Sequence, residues 1–260
     1  MGALILCEFM KLKRYNVLWF GAVTVVLGAA YAASTSLFDG ACTYADYVSN
    51  LIWANFSYIM PFTVTLIGGF IIDREYTDDT LKSLFCVPVS WRRLLAAKLV
   101  VAWLAAIAFG VFSLLCSVTL SVAWVHPADF TAATLVRGAA QIIGLNALQF
   151  LALAPIIALF ARWRGKFFIG VLVAFCYGFV GIFVAGQNLA DVYPPSAAFG
   201  LIGYVPIDGS GIVSYNPVVG AAVLAVCVAV TVAIACCSVP DGGGKARSGR
   251  QRVSRGRRAR

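Results

Sequence analysis

Residues that could do chemistry are few in this chain. His126 is the only histidine, which excludes a multi-histidine metal site and leaves no serine–histidine pair with an obvious acid. Gly-Lys occurs at Gly165-Lys166 and Gly244-Lys245, but neither pair is followed by the Ser or Thr of a phosphate-binding loop. The sequence therefore predicts a protein that is not an enzyme and that uses no metal or cofactor. If ATP drives it, a separate subunit must hydrolyse the ATP.

Polar side chains also occur inside two apolar stretches, 50–72 and 133–160. Pro61 adds a free backbone carbonyl to the first stretch, and three amides fall within half the circumference of a helix in the second. Such side chains either hold helices together by hydrogen bonds, which is the commoner role, or contact a transported substrate. The candidate pathway-lining residues are Asn55, Tyr58, Thr63, Gln141, Asn146 and Gln149.

The composition identifies the elements that position these residues. Of the 260 residues, 61% are hydrophobic and 12% are charged, against about 45–50% and 25% in soluble domains. Apolar runs of about 20 residues recur, and each can cross a hydrocarbon core of about 30 Å. We therefore predict an all-α, multi-pass protein of the cell membrane, with a single domain over 1–238. Its six transmembrane helices are expected at 16–37, 50–72, 95–124, 133–160, 167–186 and 216–238.

The distribution of charge predicts the orientation of these spans. With six spans, Arg137 is the only one of the 20 Lys and Arg residues on one side of the membrane, and that side also holds five Asp residues. The positive-inside rule then places both termini in the cytoplasm. No Asp, Glu, Lys or Arg lies near the middle of a span, where carriers driven by ion gradients usually need one. An energy source other than a proton or sodium gradient is favoured.

The longest charged segment between two apolar runs is 73–98, which holds four acidic and five basic residues. Leu81, Leu84 and Phe85 recur in it at helical spacing, Thr77 resembles a helix start, and Pro88 ends the pattern. Ser90 can cap the helix that follows. The pattern predicts a cytoplasmic helical elbow on which a cytosolic partner could push. A solvated loop is the alternative.

Three further segments lie outside the spans. Residues 3–14 fit a helix in the inner membrane interface, with a simple basic flank or part of a cleaved signal peptide as alternatives. Residues 187–215 contain an apolar run too short to cross the membrane, which favours a re-entrant segment on the outside. Residues 239–260 form a basic tail that we expect to be disordered and to contact membrane lipids rather than nucleic acid.

Two parts of the chain resemble the permease subunits of ABC-2 type transporters. The start resembles their E-x-x-K-L-K-R opening, and the elbow resembles the segment after their second span. Asp79 stands where the family often has Gly, and Trp91 stands where Arg often follows the Ser. The residues that carry the resemblance are Glu8, Phe9, Lys11–Arg14, Arg74–Tyr76, Thr80–Lys82, Leu84, Pro88–Ser90, Arg92–Leu95, Ala97 and Lys98.

The resemblance implies a role for each part. Segment 77–87 would be a coupling helix that docks on a P-loop ATPase subunit, and 3–14 would be the interfacial connecting helix. A second permease subunit, identical or related, would complete the pathway. Bacterial permeases for self-protection against bacitracin or lantibiotics are the most similar in size and motifs. The implied ATPase-coupling residues are Glu75, Thr80, Leu81, Lys82, Leu84 and Phe85, together with Asp78 and Asp79.

The function expected from these features is ATP-driven export of a peptide antibiotic, drug or lipid-like molecule. The alternative is a membrane protein without transport activity, such as an assembly factor or a sensor, whose basic tail binds lipids. A membrane enzyme is a more distant alternative because the spans hold no paired acid and base groups.

Overall fold

The computed structural model describes residues 2–38, 43–77, 90–127, 129–163, 165–185, 189–204 and 215–237. These parts of the chain are helical and contain no strand. Six helices in them are long and apolar enough to cross a membrane, so the predicted all-α fold with six spans is confirmed. The segments 78–89 and 238–260 lie outside the described residues, and they contain the middle of the elbow and the whole tail.

The described chain forms nine α-helices and two short π-helical segments. Helix α1 is amphipathic, α8 is short, and the other helices build the spans. The helices are α1 (Gly2–Lys13), α2 (Val17–Phe38), α3 (Tyr44–Ala54), α4 (Met60–Thr77), α5 (Trp91–Leu120), α6 (Ala132–Phe160), α7 (Phe167–Ala185), α8 (Pro194–Leu201) and α9 (Pro217–Cys237). The π-helical segments are Asn55–Ile59, between α3 and α4, and Ser121–Val125, after α5.

The second and third spans are longer than the sequence pattern predicts. The second runs from Tyr44 to Tyr76 and the third from Trp91 to Val125, so both ends of the predicted 73–98 elbow belong to span helices. Thr77, the predicted start of the elbow helix, is the last residue of α4. Ser90 immediately precedes α5, as predicted, although its side chain forms no capping hydrogen bond.

Pro61 explains the π-helical segment in the second span. Proline has no N–H, and its ring clashes with the carbonyl four residues earlier, which here belongs to Ser57. The chain accommodates this by widening one turn, and the Met60 N–H bonds the Asn55 carbonyl five residues before it. Gly178 of α7 then packs directly against this turn. The widened turn is therefore a place where α7 approaches the second span closely.

The second span is the centre of the bundle. In its most apolar stretch 67% of residues are buried, against 28% in α7 and 22% in α9. The exposed faces of α2, α7 and α9 carry large apolar side chains, which suits contact with lipid or with another subunit. These side chains include Trp19, Phe20, Leu27, Phe168, Leu172, Phe183, Val218 and Val226.

The two ends of the bundle differ. One end of the bundle carries α1, the last turn of α4 and the first turn of α5, and we call it the basic end. We call the other end of the bundle the opposite end. At the opposite end α8 packs against α9 and α6, inside the segment 187–215. Its Phe199 is fully buried against Phe56 and Tyr204. The assignment of 187–215 as a re-entrant segment stays a prediction.

Close packing at Gly178 leads to a stability prediction. A Cβ added there would clash with Cγ of Pro61 and lie 2.7 Å from the Ser57 carbonyl oxygen, and overpacking of this kind costs about 1–3 kcal/mol. We expect Gly178→Ala to lower the thermal unfolding temperature of the detergent-purified protein, followed by fluorescence-detected gel filtration. Gly144→Ala in α6 is the control, because the nearest atom to a Cβ there would be Cγ2 of Ile202, at 3.2 Å. Equal losses in the two variants would contradict the packing described.

Candidate functional site

Three helices meet at the basic end, and each brings a charged residue into its apolar face. In α1, Glu8 lies one turn from Leu4 and one turn from Leu12, which both pack in the core. In α4, Glu75 follows the buried Ile71 by one turn. In α5, Lys98 follows the buried Leu94 by one turn. Helical spacing therefore directs all three charges inward, where they meet. Together with Lys11 they form what we call the ion cluster.

The contacts in the ion cluster are short and numerous. Nζ of Lys98 donates to Oε2 of Glu8 at 2.5 Å, to Oε1 of Glu75 at 3.0 Å and to the Ile71 carbonyl oxygen at 3.1 Å. A lysine ammonium has three N–H donors, so each has an acceptor. Nζ of Lys11 bridges the same two carboxylates, at 2.9 Å from Oε1 of Glu8 and 3.0 Å from Oε1 of Glu75.

Burial makes these contacts costly to break. Glu8, Glu75 and Lys98 are 3%, 4% and 1% exposed, and a buried charge left without its partner costs several kcal/mol. The formal charges of two carboxylates and two ammonium groups balance. Burial of Lys11 disfavours its charge, but its hydrogen bonds to Glu8 and Glu75 and their negative charges outweigh this and raise its pKa. Lys11 therefore stays protonated at physiological pH.

The ion cluster connects α1 to both helices that flank 78–89. Glu75 lies in the last turn of α4 before that segment, and Lys98 lies near the start of α5 after it. Because Glu8 and Lys11 of α1 are bonded to these two residues, a displacement of either helix end must move α1 or break buried ion pairs. The arrangement can thus pass a mechanical force from the elbow to α1.

Further contacts at the basic end surround the ion cluster. The Tyr76 hydroxyl donates to the Ala161 carbonyl at the end of α6, at 3.0 Å, and the Tyr76 ring packs on Trp91 with centroids 5.8 Å apart. Asp73 accepts a hydrogen bond from the Gly165 N–H at 2.8 Å. The Arg74 guanidinium lies 4.7 Å from the centre of the Tyr15 ring. The end of α4 is therefore bonded to α5, to the chain after α6, and to the chain just after α1.

Of the residues that the resemblance assigned to ATPase coupling, Glu75 is described and belongs to the ion cluster. Thr80, Leu81, Lys82, Leu84 and Phe85 lie outside the described residues, and so do Asp78 and Asp79. Their contact with an ATPase stays a prediction.

The six candidate pathway-lining residues occupy four different places. Three amides lie where the π-helical segment Asn55–Ile59 meets α5 and α6. Asn55, within the segment, donates to Oγ of Ser113 at 3.2 Å, Gln149 donates to the Phe56 carbonyl at 3.2 Å, and Asn146 lies against Gly110 of α5. The remaining three are apart from this group. Thr63 bonds Thr24 of α2, Tyr58 packs edge-on against Tyr31, and Gln141 donates to the Gly203 carbonyl at the opposite end.

The contacts of the three amides concern both predicted roles, which are to bond helices together and to line a pathway. Their hydrogen bonds to Ser113 and Phe56 join the second span to the third and fourth, which is the helix-bonding role. Yet Oδ1 of Asn55, Oε1 of Gln149 and both polar atoms of Asn146 are buried and form no hydrogen bond within the described part of the chain. Buried polar atoms normally have a protein or water partner. Their role in lining a pathway stays a prediction.

A wide groove opens at the basic end between α2, α4 and α7. It has a volume of about 890 Å³, within the range of small-molecule sites. Aromatic rings dominate its walls, and charged groups lie at its rim. Its lining includes Tyr15, Phe20, Phe62, Phe70, Phe167 and Phe168 with Arg14, Asp73 and Arg74. Such a lining suits a molecule with an apolar body and a polar end.

The sequence motifs contain all four members of the ion cluster but do not group them. Glu8, Lys11, Glu75 and Lys98 all belong to the motifs that carry the resemblance, but their mutual contact was not predicted. The available signal was that Glu8, Glu75 and Lys98 each occupy the apolar face of a helix. With Lys11 the cluster holds two carboxylates and two ammonium groups, a balance that favours pairing.

Comparison with protein-family models matches residues 4–181 to the family described as ABC-2 family transporter protein. The match includes the ion cluster, the elbow and the first four spans, and extends through most of α7. Neither the curated proteins nor the solved structures compared with the chain give a match.

Proposed function

Because the chain belongs to the ABC-2 transporter family, we propose that it is the permease subunit of an exporter powered by ATP that a separate P-loop ATPase hydrolyses. The family match supports a permease. The observation that carries the coupling role is the buried ion cluster, because it bonds α1 to the two helix ends that flank 78–89.

The proposed orientation follows from charge. The basic end holds the charged residues of α1, of 73–98 and of the loop after α6, so the positive-inside rule places it in the cytoplasm. The helix that the sequence predicts at 77–87 then faces the compartment where ATP is available. In this orientation the elbow is the docking site for the ATPase, and the opposite end is outside.

A mechanism follows for force transfer. Movement of the ATPase displaces the elbow, and the end of α4 and the start of α5 move with it. The ion cluster carries that movement to α1, which lies at the membrane interface. A second permease subunit, identical or related, packs against the exposed apolar faces of the bundle and completes the pathway. The paired movement of two subunits then opens the pathway alternately to the two sides.

The groove at the basic end supports an amphiphilic substrate. Its aromatic walls fit an apolar body, while Arg14, Asp73 and Arg74 at the rim fit a polar or charged end. A peptide antibiotic, an amphiphilic drug and a lipid-like molecule all have this character. The self-protection permeases against bacitracin or lantibiotics, which the motifs resemble, are the narrower proposal.

The orientation can be tested by labelling. In a variant without native cysteines, Ser83→Cys should react with a membrane-permeant maleimide in intact cells but not with an impermeant one. In inverted membrane vesicles, Ser83→Cys should react with the impermeant maleimide as well. Ala45→Cys, at the exposed start of α3, is the matched control and should react with the impermeant reagent in intact cells. Reaction of Ser83→Cys with that reagent in intact cells would refute the orientation and the docking site with it.

A further inference from the structure

A second cavity lies at the opposite end of the bundle, between the first turns of α3 and α6. Its volume is about 370 Å³, which is enough for a small ligand. Apolar side chains form its inner wall, and polar groups are spread along it. We call it the opposite-end pocket, and its lining is Tyr44, Ala45, Val48, Ser49, Ile52, Thr134, Arg137, Gly138, Gln141 and Tyr204.

The polar wall of this pocket is held in place by the protein itself. Oγ of Ser49 and the Tyr204 hydroxyl are 2.6 Å apart, and both side chains are buried. The amide of Gln141 donates to the Gly203 carbonyl at 3.2 Å, which leaves its own oxygen available. Thr134 belongs to the capping box at the start of α6. These bonds fix the α3, α6 and 203–204 sides of the pocket before any ligand arrives.

Arg137 gives the pocket its charge. Within the described residues its guanidinium forms no hydrogen bond and no ion pair. Two acidic residues at the same end, Asp46 in α3 and Asp129 just before α6, have partners of their own: Asp129 accepts from the Tyr44 N–H, and Asp46 is bonded to Thr43. A guanidinium presents a fork of donors that matches the oxygens of a phosphate or carboxylate.

We propose that the opposite-end pocket binds an amphiphile that carries a single oxyanion, with the phosphate or carboxylate on Arg137 and the apolar chain beside the exposed Ala45, over the floor formed by the buried Val48 and Ile52. The helical positions support this geometry, because Arg137 lies near the start of α6 whereas Val48 and Ile52 lie one and two turns into α3. The site is defined by its own geometry. Only its location outside the cell rests on the proposed function.

Binding can be measured without transport or an ATPase. The protein is placed in phosphatidylcholine nanodiscs, and equilibrium binding of radiolabelled octyl phosphate is measured after subtraction of empty discs. Octyltrimethylammonium has the same chain with the opposite charge and should not compete. Inorganic phosphate lacks the chain and should compete only at far higher concentration. Nanodiscs expose both faces, so the result does not depend on the orientation.

Variants assign the binding to this pocket. Arg137→Gln removes one charge-assisted contact and should weaken binding about tenfold, whereas Arg137→Lys should retain most of it. Ala45→Trp, at an exposed position of the rim, should block the pocket without altering the arginine. Arg92→Gln, which removes an exposed arginine at the basic end, is the control. A variant enters the comparison only if its unfolding temperature equals that of the unaltered protein.

Two outcomes would overturn the proposal. One is equal affinity for octyl phosphate in Arg137→Gln and Arg92→Gln, and the other is unchanged binding in Ala45→Trp. A last comparison identifies the source of the oxyanion when the variants behave as expected. If phosphatidylglycerol added to the discs displaces octyl phosphate, the natural ligand is a bilayer lipid. If it does not, the natural ligand is a diffusible amphiphile.

Discussion

Replacement of Lys98 by methionine should destabilise the protein more than any other single change in the ion cluster. The ammonium is 1% exposed and satisfies two carboxylates and one carbonyl. Without it, Glu8 and Glu75 lose the almost fully buried cation between them, and Lys11, which still bridges them, has a side chain that is 39% exposed. Loss of one partner of a buried pair costs about 3–5 kcal/mol. At this chain length that corresponds to a fall in the unfolding temperature of roughly 6–20 °C.

Two further variants separate the loss of charge balance from the loss of a long side chain. Arg92→Met removes an exposed cation from the same helix and should change the unfolding temperature little. Lys98→Met combined with Glu75→Gln restores formal neutrality among the remaining groups, so it should recover part of the lost stability. If Lys98→Met and Arg92→Met have the same unfolding temperature, the four residues of the ion cluster do not form a buried network. If the double variant is less stable than Lys98→Met, charge balance is not what holds the ion cluster.

The fold was predictable because membrane spans leave a strong signal. An uncharged run of about 20 apolar residues is long enough to cross the hydrocarbon core and is typical of a transmembrane helix, and all six predicted spans appear as helices. The bounds were harder to predict where polar residues continue a helix beyond the apolar core. Asp73–Tyr76 continue the second span because Glu75 and Tyr76 have partners inside the bundle. Hydropathy alone cannot show such partners.

The site was predictable only as single positions. Glu75 and Lys98 fall in the motif around the elbow, and Glu8 falls in the opening motif, but contact between them depends on how three helices pack. The amides of the fourth span also show that contacts cannot be predicted from single positions. Gln141 shares a helix face with Asn146 and Gln149, yet it bonds Gly203 at the opposite end, whereas Gln149 bonds Phe56 in the widened turn and Asn146 lies against Gly110. Helical periodicity gives the face of a residue, whereas its partner depends on its depth along the helix.

The ion cluster also explains how the elbow would transmit force to the helices on both sides of it. A docking segment transmits force only if the helices on both sides of it resist independent movement. Lys98 of α5 and Glu75 of α4 are directly paired, and both are bonded to α1, through Glu8 and Lys11. The three helices therefore form one unit at the basic end. Movement of the elbow would shift this unit rather than bend one helix.

Aspartate at both Leu84 and Phe85 should abolish association with the ATPase and, with it, export. The sequence places these residues and Leu81 on one face of the helix predicted at 77–87, which lies outside the described residues. In the proposed complex this face is buried against the ATPase, and each apolar anchor lost from an interface core costs about 2 kcal/mol or more. Two such losses weaken association by a factor on the order of a thousand. The measurement is co-purification of the ATPase from native membranes, followed by ATP-dependent export.

Ser83→Asp provides the matched control, because at about 100° per residue Ser83 lies on the side of the predicted helix away from Leu84 and Phe85. It adds a carboxylate to the same segment and should leave both association and export near their original levels. All variants should share the unfolding temperature of the unaltered protein, since the ion cluster is intact in each. A folded Leu84→Asp/Phe85→Asp variant that still binds the ATPase and exports would show that force enters the bundle elsewhere. Equal losses in Ser83→Asp would show instead that the segment tolerates no added charge, and that the apolar face is not the docking surface.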